Sequence, residues 1–305
     1  MKKQSILIAA AVLISATVLT SCEKSEDTKM TGDMTVAEYA VSDPNFSILV
    51  QALTKAGLVD VLNGEGNFTV FAPTNAAFTS LFGELGVSGI SDLSAETLTP
   101  ILLYHVLGEE KKSGMITSGY YSTLSPAQDS YMSLNISAGM GVKINKSTNV
   151  IVADVDVKNG VIHAIDKVLL PPTVVDHAIA NDNFSILVQA VVKAGLVDVL
   201  NGTGPFTIFA PTNAAFEALF AQLGVTGISQ LTAEQLIPIL QYHVVSGNVR
   251  STTLTAGNVE TLNGTISISL MPTPEINSNS KIVATDVQGS NGIIHVIDVV
   301  LLPSE

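Results

Sequence analysis

Residues 68–78 read FTVFAPTNAAF, and residues 206–216 read FTIFAPTNAAF. The phrase returns 138 positions later with only Val70 exchanged for Ile208. A repeat this literal means that the chain is two copies of one folding unit, and every other reading has to fit that. NFSILVQALTKAGLVDVLNG (45–64) and NFSILVQAVVKAGLVDVLNG (183–202) keep the same offset and share eighteen of twenty residues. The offset holds through Tyr104-His105-Val106 and Tyr242-His243-Val244, then falls to 132 at NGVIHAID (159–166) and NGIIHVID (291–298). Six residues present in 108–158 therefore have no counterpart in 246–290, and length changes of this kind are expected in loops. The first unit is placed at 34–171 and the second at 172–305. The Pro171-Pro172 pair makes a stiff, short junction that limits their mutual angles.

The repeated phrase has a folding purpose of its own. Phe68, Val70 and Ala72 alternate with Thr69 and Phe71, which is strand chemistry. Pro73 cannot donate to a ladder and ends the strand. Thr74 or Asn75 then offers a side-chain oxygen to the free amides of a helix. Phe78, Leu81, Phe82 and Leu85 give that helix one apolar stripe.

Phe46, Leu49, Val50 and Leu53 predict an earlier helix ended by Gly57. Ser94-Ala95-Glu96 and Thr232-Ala233-Glu234-Gln235 read as helix starts, the second with a capping box of Thr232 and Gln235. Pro100 and Pro238 are expected to kink or restart these helices. VIVADVDVKNGVIHAIDKVLL is two alternating apolar runs joined around Asn159-Gly160, a hairpin signal. Short runs such as SLNISA and VKIN within 115–150 read as short strands. Each unit is thus helices first and a mostly antiparallel sheet afterwards, an α+β arrangement.

The N-terminus is of a different kind. Lys2 and Lys3 precede an apolar stretch, Ile6 to Leu19, too short for the roughly 20 residues of a spanning helix and suited to a signal peptide over 1–21. Leu19-Thr20-Ser21-Cys22 resembles a bacterial lipobox, in which cleavage leaves the cysteine first and a lipid joins its thiol. Cys22 is the only cysteine, so an intrachain disulfide is impossible. The residues that follow, within 22–33, are polar and read as a flexible tether. Their acidic character also resembles signals that direct some lipoproteins to the outer face of the outer membrane. The expected location is lipid-anchored at the outer membrane, on its periplasmic or cell-surface side.

The formal net charge of −13 and scattered lysines argue against nucleic acid, which needs a basic patch. G-x-S-x-G, H-E-x-x-H, the P-loop and G-x-G-x-x-G after a strand are all missing from the sequence. No catalytic residue, metal ligand set or cofactor is therefore assigned. Asp154-Val155-Asp156 hints at a calcium loop, but its spacing does not fit an EF-hand, and the second copy has Gln288 in place of Asp156.

Three ordered motifs, each present twice, resemble those of fasciclin-like domains: FTVFAPTNAAF, the Tyr-His pairs Tyr104-His105 and Tyr242-His243, and NGVIHAIDKVLLP. The resemblance covers nearly all of 34–303. It implies two tandem domains, each a wedge-shaped β-sandwich of about seven strands with helices along one edge. It also implies adhesion: members are secreted or membrane-anchored and bind other cells, matrix or surface polymers. The Tyr-His neighbourhood is linked in the family to receptor binding. In vertebrate matrix members an aspartate at the distance of Asp154 and Asp286 ahead of Asn-Gly lies in an integrin-binding motif, although the flanking residues here differ.

Tyr104, His105, Asp154, Tyr242, His243 and Asp286 are thus the candidate partner-binding residues. The residues themselves leave other readings open. His105 follows Leu98, Ile101 and Leu102 at helical spacing, so it points to the core. Asp154 and Asp286 also suit a turn cap. His163 and Asp166 stand three apart on a strand and face opposite sides. His177, aligned with Tyr39, reads as surface or packing. The expected partner is a protein or polysaccharide of a cell surface or matrix. A glycan-binding alternative would use Tyr120, Tyr121 and Tyr131 as stacking faces, since the chain has no tryptophan. A hydrolase would need a pocket with a histidine and an acid on neighbouring strands.

Overall fold

The computed structural model describes residues 30–303, so Cys22, the signal peptide and most of the tether lie outside the described residues. Thr31–Asp33, at the end of the expected tether, form a short 3-10 turn. The first domain then runs α1 (Val36–Ser42), α2 (Ser47–Lys55), α3 (Val59–Asn63), β1 (Phe68–Pro73), α4 (Asn75–Leu85) and α5 (Ala95–Tyr104). β2 (Val106–Leu107), β3 (Gly119–Ala127), β4 (Ser130–Gly139), β5 (Gly141–Ile144), β6 (Thr148–Val157) and β7 (Gly160–Ile165) follow. The second domain repeats this order as α6 (Val174–Ile179), α7 (Ser185–Lys193), α8 (Val197–Leu200), β8 (Phe206–Pro211), α9 (Asn213–Leu223) and α10 (Ala233–Tyr242). It closes with β9 (Val244–Ser246), β10 (Gly257–Thr261), β11 (Gly264–Ser269), β12 (Glu275–Ile276), β13 (Ser280–Gly289) and β14 (Gly292–Ile297).

Each domain is α+β with seven strands. In the first, β1 to β7 pair in sequence and β7 returns to β1, closing the set. In the second, the order is β10-β11-β12-β13-β14-β8-β9. All pairings are antiparallel except β1 with β7 and β8 with β14. The parallel pairs are buried on both faces, and their alternate residues serve two cores. Val70, Ala72, Ile162 and Ala164 turn outward to the helices, where Val36, Leu49, Leu53, Phe78 and Leu98 cover them. Phe71 and Ile165 turn inward and meet Leu107, Leu134, Ile136 and Ile144. The second domain has the same pair of cores.

The strand, stop and cap expected in the repeated phrase are all present. Thr74 caps α4 by accepting from Ala77 N. Asn75 does something else: its Oδ1 accepts from Ile48 N at the start of α2, and its Nδ2 donates to Pro44 O and Ser47 Oγ. The repeated Thr-Asn pair therefore caps one helix and pins another. Thr232 and Gln235 form the expected capping box. The helices do not restart at Pro100 and Pro238: α5 and α10 run through them. A helical proline deprives the carbonyl four residues earlier of its donor. Here that residue is Glu96 or Glu234, both exposed, so water can serve the carbonyl.

The hairpin of β6 and β7 turns on Lys158 and Asn159, with Val157 opposite Gly160. Asn159 is buried and acts as a hub. Its Oδ1 accepts from Val36 N at 2.9 Å, and its Nδ2 donates to Leu62 O at 2.9 Å and Gly64 O at 2.8 Å. Asn291 repeats all three bonds with Val174, Leu200 and Gly202. Asn159→Ala strands three backbone groups and is expected to cost about 3 kcal/mol, since each orphaned buried group costs roughly 1–3 kcal/mol. Urea unfolding should show this as a lower midpoint for the first domain with an unchanged slope.

The six unmatched residues are Pro126–Tyr131. Thr123 Oγ1 donates to Met132 O, and Thr261 Oγ1 donates to Gly264 O. Ser125 Oγ donates to Pro100 O, and Asn263 Nδ2 donates to Pro238 O. The two hairpins therefore match up to Ser125 and Asn263 and again from Met132 and Gly264. The extra residues lengthen the β3–β4 hairpin at its tip, so the difference lies in a hairpin and its strands as well as a loop.

Candidate partner-binding site

β6 does not run evenly against β7. Val152 pairs with Ala164 and Val155 with Ile162, so two residues, Ala153 and Asp154, oppose His163 alone. This is a β-bulge, which bends a strand and re-aims a side chain. Asp154 sits in the bulge at φ 61°, a conformation aspartate accepts more readily than most residues. Its Oδ1 accepts from Ser113 N at 2.7 Å, and Ser113 Oγ donates to its Oδ2. Partial burial pushes the Asp154 carboxyl up, but the Ser113 hydrogen bonds, with nearby Lys112, outweigh it and hold the group below its usual range. Asp154 N donates to His163 Nδ1 at 3.2 Å, which places the ring proton on Nε2, where Lys111 O accepts it at 2.9 Å.

The second domain repeats the arrangement around Asp286, also at φ 61° in a bulge. Ser251 N and Oγ donate to its carboxylate, and its own N–H donates to His295 Nδ1. His295 Nε2 faces Val249 O at 2.8 Å, and burial pushes this histidine's pKa down. Neither aspartate caps the Asn-Gly turn. Each clamps a bulge to the segment that enters β3 or β10.

The two bulges differ in what lies outside them. In the first domain Asp154 and Asp156 are exposed, and Lys112 pairs with Asp156 at 2.9 Å. In the second, the first domain covers the bulge. Ser133 Oγ on β4 accepts from Gln288 N at 2.9 Å and approaches Asp286 O at 3.4 Å. Arg250 Nη1 donates to Asp129 O at the tip of the lengthened hairpin. Lys146 pairs with Asp182. Tyr120 reaches the helices of the second domain, accepting from Asn181 Nδ2 at 3.0 Å and meeting the edge of His177 at 5.8 Å between ring centres. The exchange of Asp156 for Gln288 follows from this covering. Gln288 is 1% exposed, where a carboxylate would be desolvated, and its amide bonds Asn248, Gly289 O and Gly292 O.

The Tyr-His pairs need correction as contact residues. Tyr104 and His105 are 0% and 2% exposed, and Tyr242 and His243 are 5% and 2%. His105 Nδ1 donates to Ile101 O, and its Nε2 accepts from Leu169 N; His243 does the same with Ile239 O and Leu301 N. Burial pushes both histidines down to about 4, so they are neutral near pH 7. They tie helix ends to the chain after β7 and β14, as a helix-spaced core residue should. Tyr104 is also structural. Its hydroxyl donates to Ser133 O at 2.9 Å, holding the strand that touches the second domain. Tyr242 supports Thr265 in the same way.

The remaining candidates are also placed. His177 is fully buried and belongs to packing. Asp166 lies beyond β7 and binds Asn149, away from His163. Tyr120 is consumed by the domain contact and Tyr121 is half-buried against the inner core, so of the three possible stacking faces Tyr131, 53% exposed, is the most open. His163 and Asp154 do stand on neighbouring strands, but both ring nitrogens of the histidine are held by backbone groups. That leaves it no nitrogen for proton transfer. Among the described residues no group of three or more His, Cys, Asp or Glu converges on a metal position, and no helix is long and apolar enough to cross a membrane.

The fasciclin-domain family profile matches residues 44–171 and 182–303, and the chain belongs to this family as a tandem pair. Protein sll1483 of Synechocystis sp. is 41% identical over 132 residues, which is 43% of this chain and 73% of that protein. Transforming growth factor-beta-induced protein ig-h3 of Sus scrofa is 33% identical over 254 residues, 79% of this chain and 35% of that protein. The chain thus spans about a third of that relative's length. A solved FAS1 domain pair from the insect cell adhesion molecule Fasciclin I aligns over 88% of this chain and 96% of that one, with a TM-score of 0.49 and 20% identity.

Proposed function

We propose that this chain is a lipid-anchored cell-surface adhesion protein, held by Cys22 and contacting a protein partner through the open bulge of β6. One observation carries the reading. The same face in the second copy, around Asp286 and Gln288, already makes a protein–protein contact within the chain. Its counterpart around Asp154, Asp156 and Lys112 keeps the clamp and the bulge but exposes its charges. A rigid, exposed strand with fixed charges suits recognition, because little entropy is lost when a partner docks. Family membership supports the same direction, and the lipobox-like Leu19-Thr20-Ser21-Cys22 supports the anchor.

The test is aggregation of cells that display the full chain. Asp156→Lys reverses an exposed charge outside the clamp, so it should leave display intact and reduce aggregation at least tenfold. Cys22→Ser should release the chain from the membrane fraction. Undiminished aggregation by Asp156→Lys would remove β6 as the contact face, and membrane retention of Cys22→Ser would remove the lipid.

A further inference from the structure

The helical layer of each domain packs on the outer face of its parallel strand pair, and the fit differs between copies. In the first domain the space between them is about 20 Å³. In the second, the matching space is a cavity of about 140 Å³ that opens to the surface between α6, α7 and α8. Leu187, Val191, Ile208 and Ile294 line its depth, and Ile179, Val192 and Val199 form a rim 51%, 61% and 54% exposed. Leu53 of the first domain is Val191 here, one methylene shorter, and Thr54 at the rim is Val192.

The chemistry of the wall is one-sided. Gln241 and His243 are the only polar residues that reach it. His243 has both ring nitrogens committed to Ile239 O and Leu301 N, so it offers nothing to a ligand. Apart from Gln241, the wall offers a ligand no polar partner, so the part of a ligand that fills this space must be apolar. An apolar cavity of about 150 Å³ stays dry and takes a hydrocarbon of benzene's size, because the unfilled wall lacks dispersion partners. The wall here is dominated by β-branched side chains, stiff at χ1, which hold the opening rather than collapse into it.

We propose that the second domain binds the end of an unbranched hydrocarbon chain, the acyl tail of a fatty acid or lipid, in this cavity. The terminal methylenes fill the depth against Val191 and Ile208. The rest of the chain crosses the rim over Ile179, Val192 and Val199, and the polar head remains in water. The site is separate from the β6 bulge and does not depend on the adhesion reading, since Asp156 and Lys112 belong to the other domain.

The test is a titration of the full, methyl-labelled chain with octanoate, and in parallel with dihexanoyl phosphatidylcholine below its micelle concentration, followed by methyl chemical shifts. Saturable shifts at Val188, Val191 and Val192, with none at Val50 or Leu53, are expected from at least one probe. Tighter binding of the phospholipid points to a membrane lipid, and tighter binding of octanoate points to a free acid. Val191→Leu, which restores the first domain's residue, should weaken binding at least tenfold while the remaining methyl spectrum stays in place. Val192→Gln, at an exposed rim position, should weaken it about threefold. Absence of saturation, equal shifts in both domains, or full affinity in Val191→Leu would overturn the proposal.

Discussion

Gly160→Ala is expected to unfold the first domain and leave the second standing. Gly160 opens β7 at φ 149°, where a Cβ would lie 2.0 Å from Phe68 O and 2.7 Å from Phe68 N. Those are backbone atoms of Phe68 at the start of β1, where the parallel pairing begins, so no side chain can swing aside. Relief requires separating β1 from β7, the strands on which both cores rest. The expected loss exceeds about 4 kcal/mol, the range in which a single change consumes most of a domain's stability. Gly57→Ala is the matched control. It also has a positive φ, 67°, but nothing within 4 Å of the new Cβ, so it should cost only about 1 kcal/mol. Scanning calorimetry should show two transitions for Gly160→Ala, the lower one shifted far down, and a small shift for Gly57→Ala. Equal shifts would mean that the close approach of β1 to Gly160 is not as described.

Acid should weaken the second domain before the first. His105, His177 and His243 are buried, and burial pushes each down to about 4. In the unfolded chain each has its ordinary pKa near 6.5. As the pH falls below 6.5 the unfolded chain takes up protons that the folded chain refuses, so stability declines until about pH 4, where the folded histidines also titrate. At about 1.4 kcal/mol per unit, each such group amounts to roughly 3 kcal/mol, so the two in the second domain together reach the order of a domain's whole stability. The atomic reason is plain at His105 and His243. Their Nε2 accepts from Leu169 N and Leu301 N, and a proton there would set two N–H groups against each other. Two of the three histidines belong to the second domain. Its urea midpoint should therefore drop more steeply between pH 7 and 4. A flat midpoint over that interval would show that the rings are not held neutral in the folded chain.

Most of the fold was legible where the signal is local. The strand, the proline stop and the threonine cap of FTVFAPTNAAF are read within eleven residues, and the hairpin at Asn159-Gly160 within a few more. What escaped depends on partners far along the chain. Asn75 and Asn159 look like a cap and a turn former, yet their main bonds go 27 and 123 residues away. The parallel pairing of β1 with β7 has no sequence mark beyond continuous apolarity. Pro100 broke an expectation because the rule concerns the helix alone, while the outcome depended on Glu96 facing water. At the site, the duplication singled out Asp154 and Asp286, but alternating valines gave no hint of the bulge that orients them. The Tyr-His pairs stood out because they were repeated, and the structure gives the repetition a packing cause. The exchange of Asp156 for Gln288 was visible in the sequence, and its meaning came only with the neighbouring domain.

The lengthened hairpin at Pro126–Tyr131 gives the pair a direction. The leading unit carries the long plug and the trailing unit the closed socket, so the two are not interchangeable although their sequences are alike. A third unit appended after residue 303 would meet only the short β10–β11 hairpin, with Thr265 where Ser133 stands. A unit placed ahead of residue 34 and carrying the long form would find the β6 socket vacant. Swapping the order of the two halves would leave a plug and a socket facing away from each other.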